Sequence, residues 1–110
     1  MKILDTEIDF NILDADEMER FENEANKVVE KSNGAKVEEL TFSQAIRKEC
    51  EIVETFIDNV FGKGTSKKVF KGKKDLQEHI QAFQDIVNEK VNKQKELEDM
   101  YKKYTPNRKK

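Results

Sequence analysis

The sequence predicts a mainly α-helical fold: a small domain of about three helices with a short N-terminal β-strand, part of a small hairpin if a second strand joins it, and a long C-terminal helix. Three observations carry this. Apolar residues recur at steps of three and four through most of residues 15–104, the spacing that lines one side of a helix. Strict alternation is confined to residues 6–12. The stretch VFGKGTSKKVFKGKKDL, residues 60–76, crowds three of the four glycines and six lysines together and separates the two strongest helical patterns.

The elements follow in chain order. In TEIDFNI, Ile8, Phe10 and Ile12 fall on one side and Glu7, Asp9 and Asn11 on the other, the period of a half-buried strand. Such a strand needs a partner, sought at residues 67–71, at 36–41 or on another copy of the chain; Ile3 and Leu4 either extend it or begin a preceding turn. A first helix is expected over about residues 15–32. Asp14 or Asp16 caps it, Met18, Phe21, Ala25, Val28 and Val29 form its apolar stripe, and Gly34 ends it. The second helix opens on a capping box, Thr41 with Gln44. Ile46, Cys50, Val53, Ile57, Val60 and Phe61 recur along it, Ala45 and Phe56 widen the stripe, and Gly62 stops it. This most hydrophobic segment is the centre of the core.

Residues 62–74 read as a joint. Val69 and Phe70 tuck toward the core while the lysines keep the crossing solvated. Asp75 then caps a third helix running to about Tyr104, with Leu76, Ile80, Phe83 and Val87 as its packed part. Lys90 and Gln94 interrupt the pattern, which recovers at Leu97, Tyr101 and Tyr104. At ~1.5 Å per residue such a helix reaches about 44 Å, longer than a domain of this size is wide, so its last turns project. Pro106 breaks it. Residues 1–104 thus form a single helical domain, and residues 105–110 a disordered basic tail.

Composition narrows the function classes. Of 110 residues 40% are charged and 35% hydrophobic, against about 25% charged in an ordinary globular domain, so the core is thin. No run approaches the ~20 apolar residues of a membrane span. MKILDTEIDF carries acids where a secretory leader would be apolar. One cysteine, Cys50, forms no internal disulfide and suits a reducing cytoplasm. The net charge of −2 hides an imbalance: residues 1–62 hold 16 acids and 7 bases, residues 63–110 hold 7 acids and 14 bases. That asymmetry serves attraction within one fold, head-to-tail association into a homo-oligomer, or contact with a polyanion.

These limits bear on each chemical reading. A phosphate-binding loop requires G-x-x-x-x-G-K-[ST] between a strand and a helix. Here Gly62-Lys63-Gly64 follows a helix, and Lys74 follows Gly72-Lys73 where Ser or Thr is needed. A nucleic-acid contact through Lys63, Lys67, Lys68, Lys71, Lys73 and Lys74 is the fairer alternative, with Phe61 and Phe70 for stacking. The segment lacks arginine, however, and the acidic first half repels polyanions. The sole histidine, His79, reads as a surface or boundary residue and Cys50 as a buried structural thiol. One cysteine and one histidine cannot build a zinc site. No catalytic residue, cofactor or metal is expected. What remains is protein interaction, with Phe70, Phe83, Leu97, Tyr101 and Tyr104 as contact candidates; for Phe70 and Phe83 a core role is the competing reading.

The order of elements adds a resemblance. ILDTEIDFNILDAD, then FIDNVFGKGTSKKVFKGKKDLQEHIQAFQDIVNEKV, then KYTPNR are similar to tail assembly chaperones of long-tailed bacteriophages and prophages of Gram-positive bacteria. The distinctive parts are residues 56–83 and 104–108. The resemblance implies a non-enzymatic protein of the host bacterial cytoplasm that keeps the tape measure protein soluble and recruits major tail protein subunits around it. A structural head–tail or tail-completion protein is the alternative within the same setting, and a nucleic-acid binder using residues 63–74 the alternative outside it.

Overall fold

The computed structural model describes residues 1–33 and 39–104. A two-stranded antiparallel hairpin comes first, β1 (Lys2–Ile3) and β2 (Thr6–Glu7). Four helices follow among the described residues: α1 (Ala15–Asn33), α2 (Phe42–Phe61), α3 (Thr65–Phe70) and α4 (Leu76–Tyr104). The molecule is elongated, 59 × 27 × 21 Å. The expected mainly helical architecture with a long C-terminal helix and an N-terminal hairpin is present. Gly34, Pro106 and the expected tail at 105–110 lie outside the described residues.

The strand expectation needs correcting. Only Thr6 and Glu7 join a ladder, and they pair with Ile3 and Lys2 rather than with residues 67–71. Leu4 makes the turn at a φ of 51°, and Ile8 N donates to Met1 O at 2.7 Å. Beyond Glu7 the alternation survives without a partner strand among the described residues: Ile8 and Ile12 are buried and Phe10 packs on the core, while Asp9 and Asn11 face solvent. Apolar burial, with no ladder, dictates that period.

α1 starts where its cap predicts. Asp14 Oδ2 accepts from Glu17 N at 3.0 Å, and Glu17 reaches back to Asn11 N at 2.9 Å, so free amides of the first turn are satisfied. Phe21 is buried, but Val29 is 56% exposed, at the edge of the stripe rather than within it. α2 carries the full capping box: Gln44 N donates to Thr41 Oγ1 at 3.1 Å and Thr41 N to Gln44 Oε1 at 2.9 Å. Cys50, Ile52, Val53, Phe56, Ile57 and Val60 are buried along it. Gly62 closes it at a φ of 119°, a backbone region that only glycine enters without strain.

The core is an aromatic chain laid across the helices. Phe10 meets Phe61 edge-on at 4.8 Å, and Phe21 and Phe83 meet Phe56 edge-on at 5.5 and 5.2 Å. Edge-to-face pairs of this kind add about 0.5–1.5 kcal/mol each beyond the area they bury. Arg20 ties the two long N-terminal helices together, its Nε and Nη2 donating to Val60 O at 3.2 and 2.9 Å. That carbonyl lies in the last turn of α2, where no helical amide is available to satisfy it.

Candidate interaction surfaces

The joint contains a helix that periodicity did not reveal. Six residues are too few to show a stripe or to be stable alone, and α3 is instead held from outside. Asp58, on α2, accepts from Ser66 N at 2.8 Å through Oδ1 and from Ser66 Oγ at 3.0 Å through Oδ2. It replaces the side-chain cap that Gly64 cannot supply. Val69 and Phe70 are buried, as the joint reading expected. Lys71 ends the helix at a φ of 57°, Gly72 continues the turn at 81°, and Asp75 Oδ1 caps α4 by accepting from Glu78 N at 3.0 Å.

This arrangement exposes Lys63, Lys67, Lys68, Lys71 and Lys73 on one short crossing. Lys74 is turned back, and its Nζ meets Glu54 Oε1 and Oε2 at 2.8 and 3.0 Å. The same carboxylate receives His79. The ring of His79 is fully buried and stacked on Phe70 with centroids 3.6 Å apart and planes 7° from parallel. Its Nδ1 lies 2.7 Å from Asp75 O and its Nε2 2.7 Å from Glu54 Oε2. A carbonyl only accepts, so Nδ1 donates; the pair with Glu54 is ionic when Nε2 carries a hydrogen as well. Burial pushes the Glu54 carboxyl up, but the hydrogen bonds from Lys74 and His79 outweigh it and hold it below the ordinary value of 4.5. Lys74 is raised in turn, chiefly by its hydrogen bond to Glu54.

His79 is therefore a core residue, contrary to the surface or boundary position its neighbours suggested. The packed face of α4 is turned accordingly: His79, Ala82 and Ile86 are buried, whereas Ile80 and Val87 are 47% and 37% exposed. A usable signal was present, because His79 stands three residues after Leu76, four before Phe83 and seven before Ile86. Cys50 is buried, and desolvation raises its thiol. Both His79 nitrogens are taken by oxygen partners, Asp75 O and Glu54 Oε2. Among the described residues no group of three or more side chains is arranged to hold a metal ion.

The contact candidates divide. Phe70 is 2% exposed and stacked in the core, and Phe83 is half-buried against Phe56. Leu97 is half-buried, and Tyr101 and Tyr104 are 56% and 80% exposed. No residue of α4 after Ile86 is buried. Beyond it Lys90 Nζ lies 5.8 Å from the Phe21 ring centroid, and Met100 adds a further exposed apolar side chain to the last turns. No helix among the described residues is long and apolar enough to cross a membrane.

Residues 4–110 match a family of unknown function, DUF6673. The chain belongs to that family. No curated protein and no solved structure matches it.

Proposed function

We propose that this chain is a tail assembly chaperone of a long-tailed phage or prophage, a non-enzymatic protein that binds the tape measure protein in the host bacterial cytoplasm and recruits major tail protein subunits around it. The observation that carries the proposal is the second half of α4. It extends past the last buried residue, Ile86, and presents Leu97, Met100 and Tyr104 at steps of three and four. A helix face of that spacing lies against another amphipathic helix, the form expected of an extended helical client. The highly charged remainder keeps the complex soluble. The sequence resemblance over residues 56–83 and 104–108 supplies the setting.

Co-expression tests it. The chain should raise the soluble yield of a co-expressed tape measure protein and co-purify with it, and Leu97→Glu or Tyr104→Glu should abolish co-purification without altering the chain's helicity. A client that stays insoluble, or that binds both variants undiminished, refutes the reading. The five exposed lysines of the α3 crossing support a second reading, nucleic-acid binding. It requires retention on DNA or RNA that falls steeply as salt rises, lost on replacing Lys67, Lys68 and Lys71 with glutamine. Mass spectrometry of purified particles separates both from a head–tail or tail-completion protein, which would remain in the virion.

A further inference from the structure

A different face of α4 is set apart by what it lacks. At about 100° per residue, Leu76, Ile80, Val87, Val91 and Gln94 line one narrow strip, bordered by Gln77, Gln81, Gln84 and Asn88. None of these carries a charge, in a chain where 40% of residues do. The charged residues of the same segment, Glu78, Asp85, Glu89, Lys90 and Lys93, all fall on other sides of the helix. Asp85, next to the border, accepts from Gln81 Nε2 at 2.9 Å and from Leu4 N at 3.5 Å, so its carboxylate is turned toward the hairpin. Ile80, Val87 and Val91 are nonetheless 47%, 37% and 42% exposed. The hollow beside Ile80 is lined by Leu76, Gln77, Ile80, Gln81 and Gln84, all from α4, so no other element among the described residues covers the strip there.

We propose that α4 of a second copy covers it, antiparallel, about a twofold axis passing beside Gln84 and Val87. Charge selects the occupant. An ionic partner face would lose its water against isoleucine, valine and glutamine and find no counter-charge there. A neutral strip is complementary to a neutral strip, and this one is complementary to itself, as an isologous contact requires. Spacing supplies the register. Positions 77, 80, 84, 87, 91 and 94 advance by three and four in turn, the seam spacing of paired helices. In an antiparallel pair Ile80 then meets Val91 of the second copy, Gln84 meets Val87, and Gln77 meets Gln94, each pair occurring twice. Along one edge Gln81 faces Asn88 and along the other Phe83 faces Lys90, so no like charges oppose each other. A parallel pair would instead crowd both hairpins and both α3 crossings at one end. The antiparallel arrangement sets each copy's body beside the other's projecting turns. The strip spans about 28 Å, an interface at the small end of those that hold specific dimers, which predicts association in the micromolar range.

Sedimentation velocity on the full chain reads this directly. The chain should run at twice its mass at about 200 µM and dissociate on dilution toward about 1 µM. Ile80→Lys and Val91→Glu should each weaken the dimer at least about tenfold. Their double variant should recover it, because the ammonium introduced on one copy then meets the carboxylate introduced on the other. Both positions are solvent-exposed in the single chain, and far-ultraviolet circular dichroism should show each variant as helical as the parent. A parent chain that stays monomeric at the highest concentration overturns the proposal, as does a dimer indifferent to Ile80→Lys. A double variant no tighter than the single ones overturns the antiparallel register.

Discussion

Replacing His79 by phenylalanine keeps a planar ring against Phe70 and removes both polar contacts. One is a hydrogen bond to a neutral carbonyl, Asp75 O, worth about 1 kcal/mol net; the other goes to the ionised Glu54 and, when Nε2 carries its hydrogen, is worth about 1.5–3 kcal/mol. Glu54 keeps Lys74, and its side chain remains 18% exposed, so the carboxylate left behind is not stranded. The expected loss for His79→Phe is therefore about 3 kcal/mol. His79→Ala also forfeits the stack and opens a cavity in the core, adding about 2 kcal/mol. Against the roughly 5–15 kcal/mol that holds a typical domain together, the first variant is weakened and the second approaches unfolding. Urea denaturation followed by circular dichroism at neutral pH measures both. A cycle with Glu54→Leu isolates the direct pair, whose coupling should be about 2 kcal/mol. If His79→Phe lies within about 0.5 kcal/mol of the parent, the ring serves as filler and the account of this cluster is wrong.

Three further outcomes follow from the same geometry. Glu54 titrates lower in the folded chain than in the unfolded one, so its contribution is complete above the ordinary value of 4.5 and is lost as the pH falls below it; the parent's urea midpoint should drop more steeply than that of Glu54→Gln across that acid range. Thr41→Ala removes the capping-box acceptor at the start of α2 and should cost about 1 kcal/mol by the same measurement, whereas Thr41→Ser should be nearly neutral. Cys50 is fully buried with a raised thiol, so a disulfide reagent at neutral pH should label it only as fast as the chain opens, and at once in urea.

Where the sequence states local rules, the fold was legible. The Thr41–Gln44 box, the Gly62 stop, and the Asp14 and Asp75 caps all stand where residue chemistry places them, because each depends on atoms within four residues. What escaped depends on atoms far apart in the chain. α3 exists through a carboxylate eight residues upstream, and no pattern within TSKKVF announces it. The buried face of α4 was misplaced by one position because a stripe of apolar letters passes over histidine, and His79 is admitted to the core by Glu54 on another helix. Alternation over residues 6–12 points to a distant partner, whereas Lys2 and Ile3 lie beside the strand and supply one, in a pairing too short to alternate. For the candidate site the same divide holds. The exposed lysines and the polar break at Lys90 were readable as letters, while the uncharged side of α4 acquires meaning only once it is known which side faces inward.

The two hydrogen bonds that Ser66 donates to Asp58 govern how the lysines of α3 are displayed. A basic loop free to wander would offer its ammonium groups at every separation and lose much of that freedom on meeting a partner. Here Lys67 and Lys68 ride on a turn of helix riveted at its start to α2 and seated at its end by Phe70 on His79. The spacing of their backbone anchors and its bearing relative to the body are set beforehand, so only the side-chain stems remain to be ordered when an acidic surface is met.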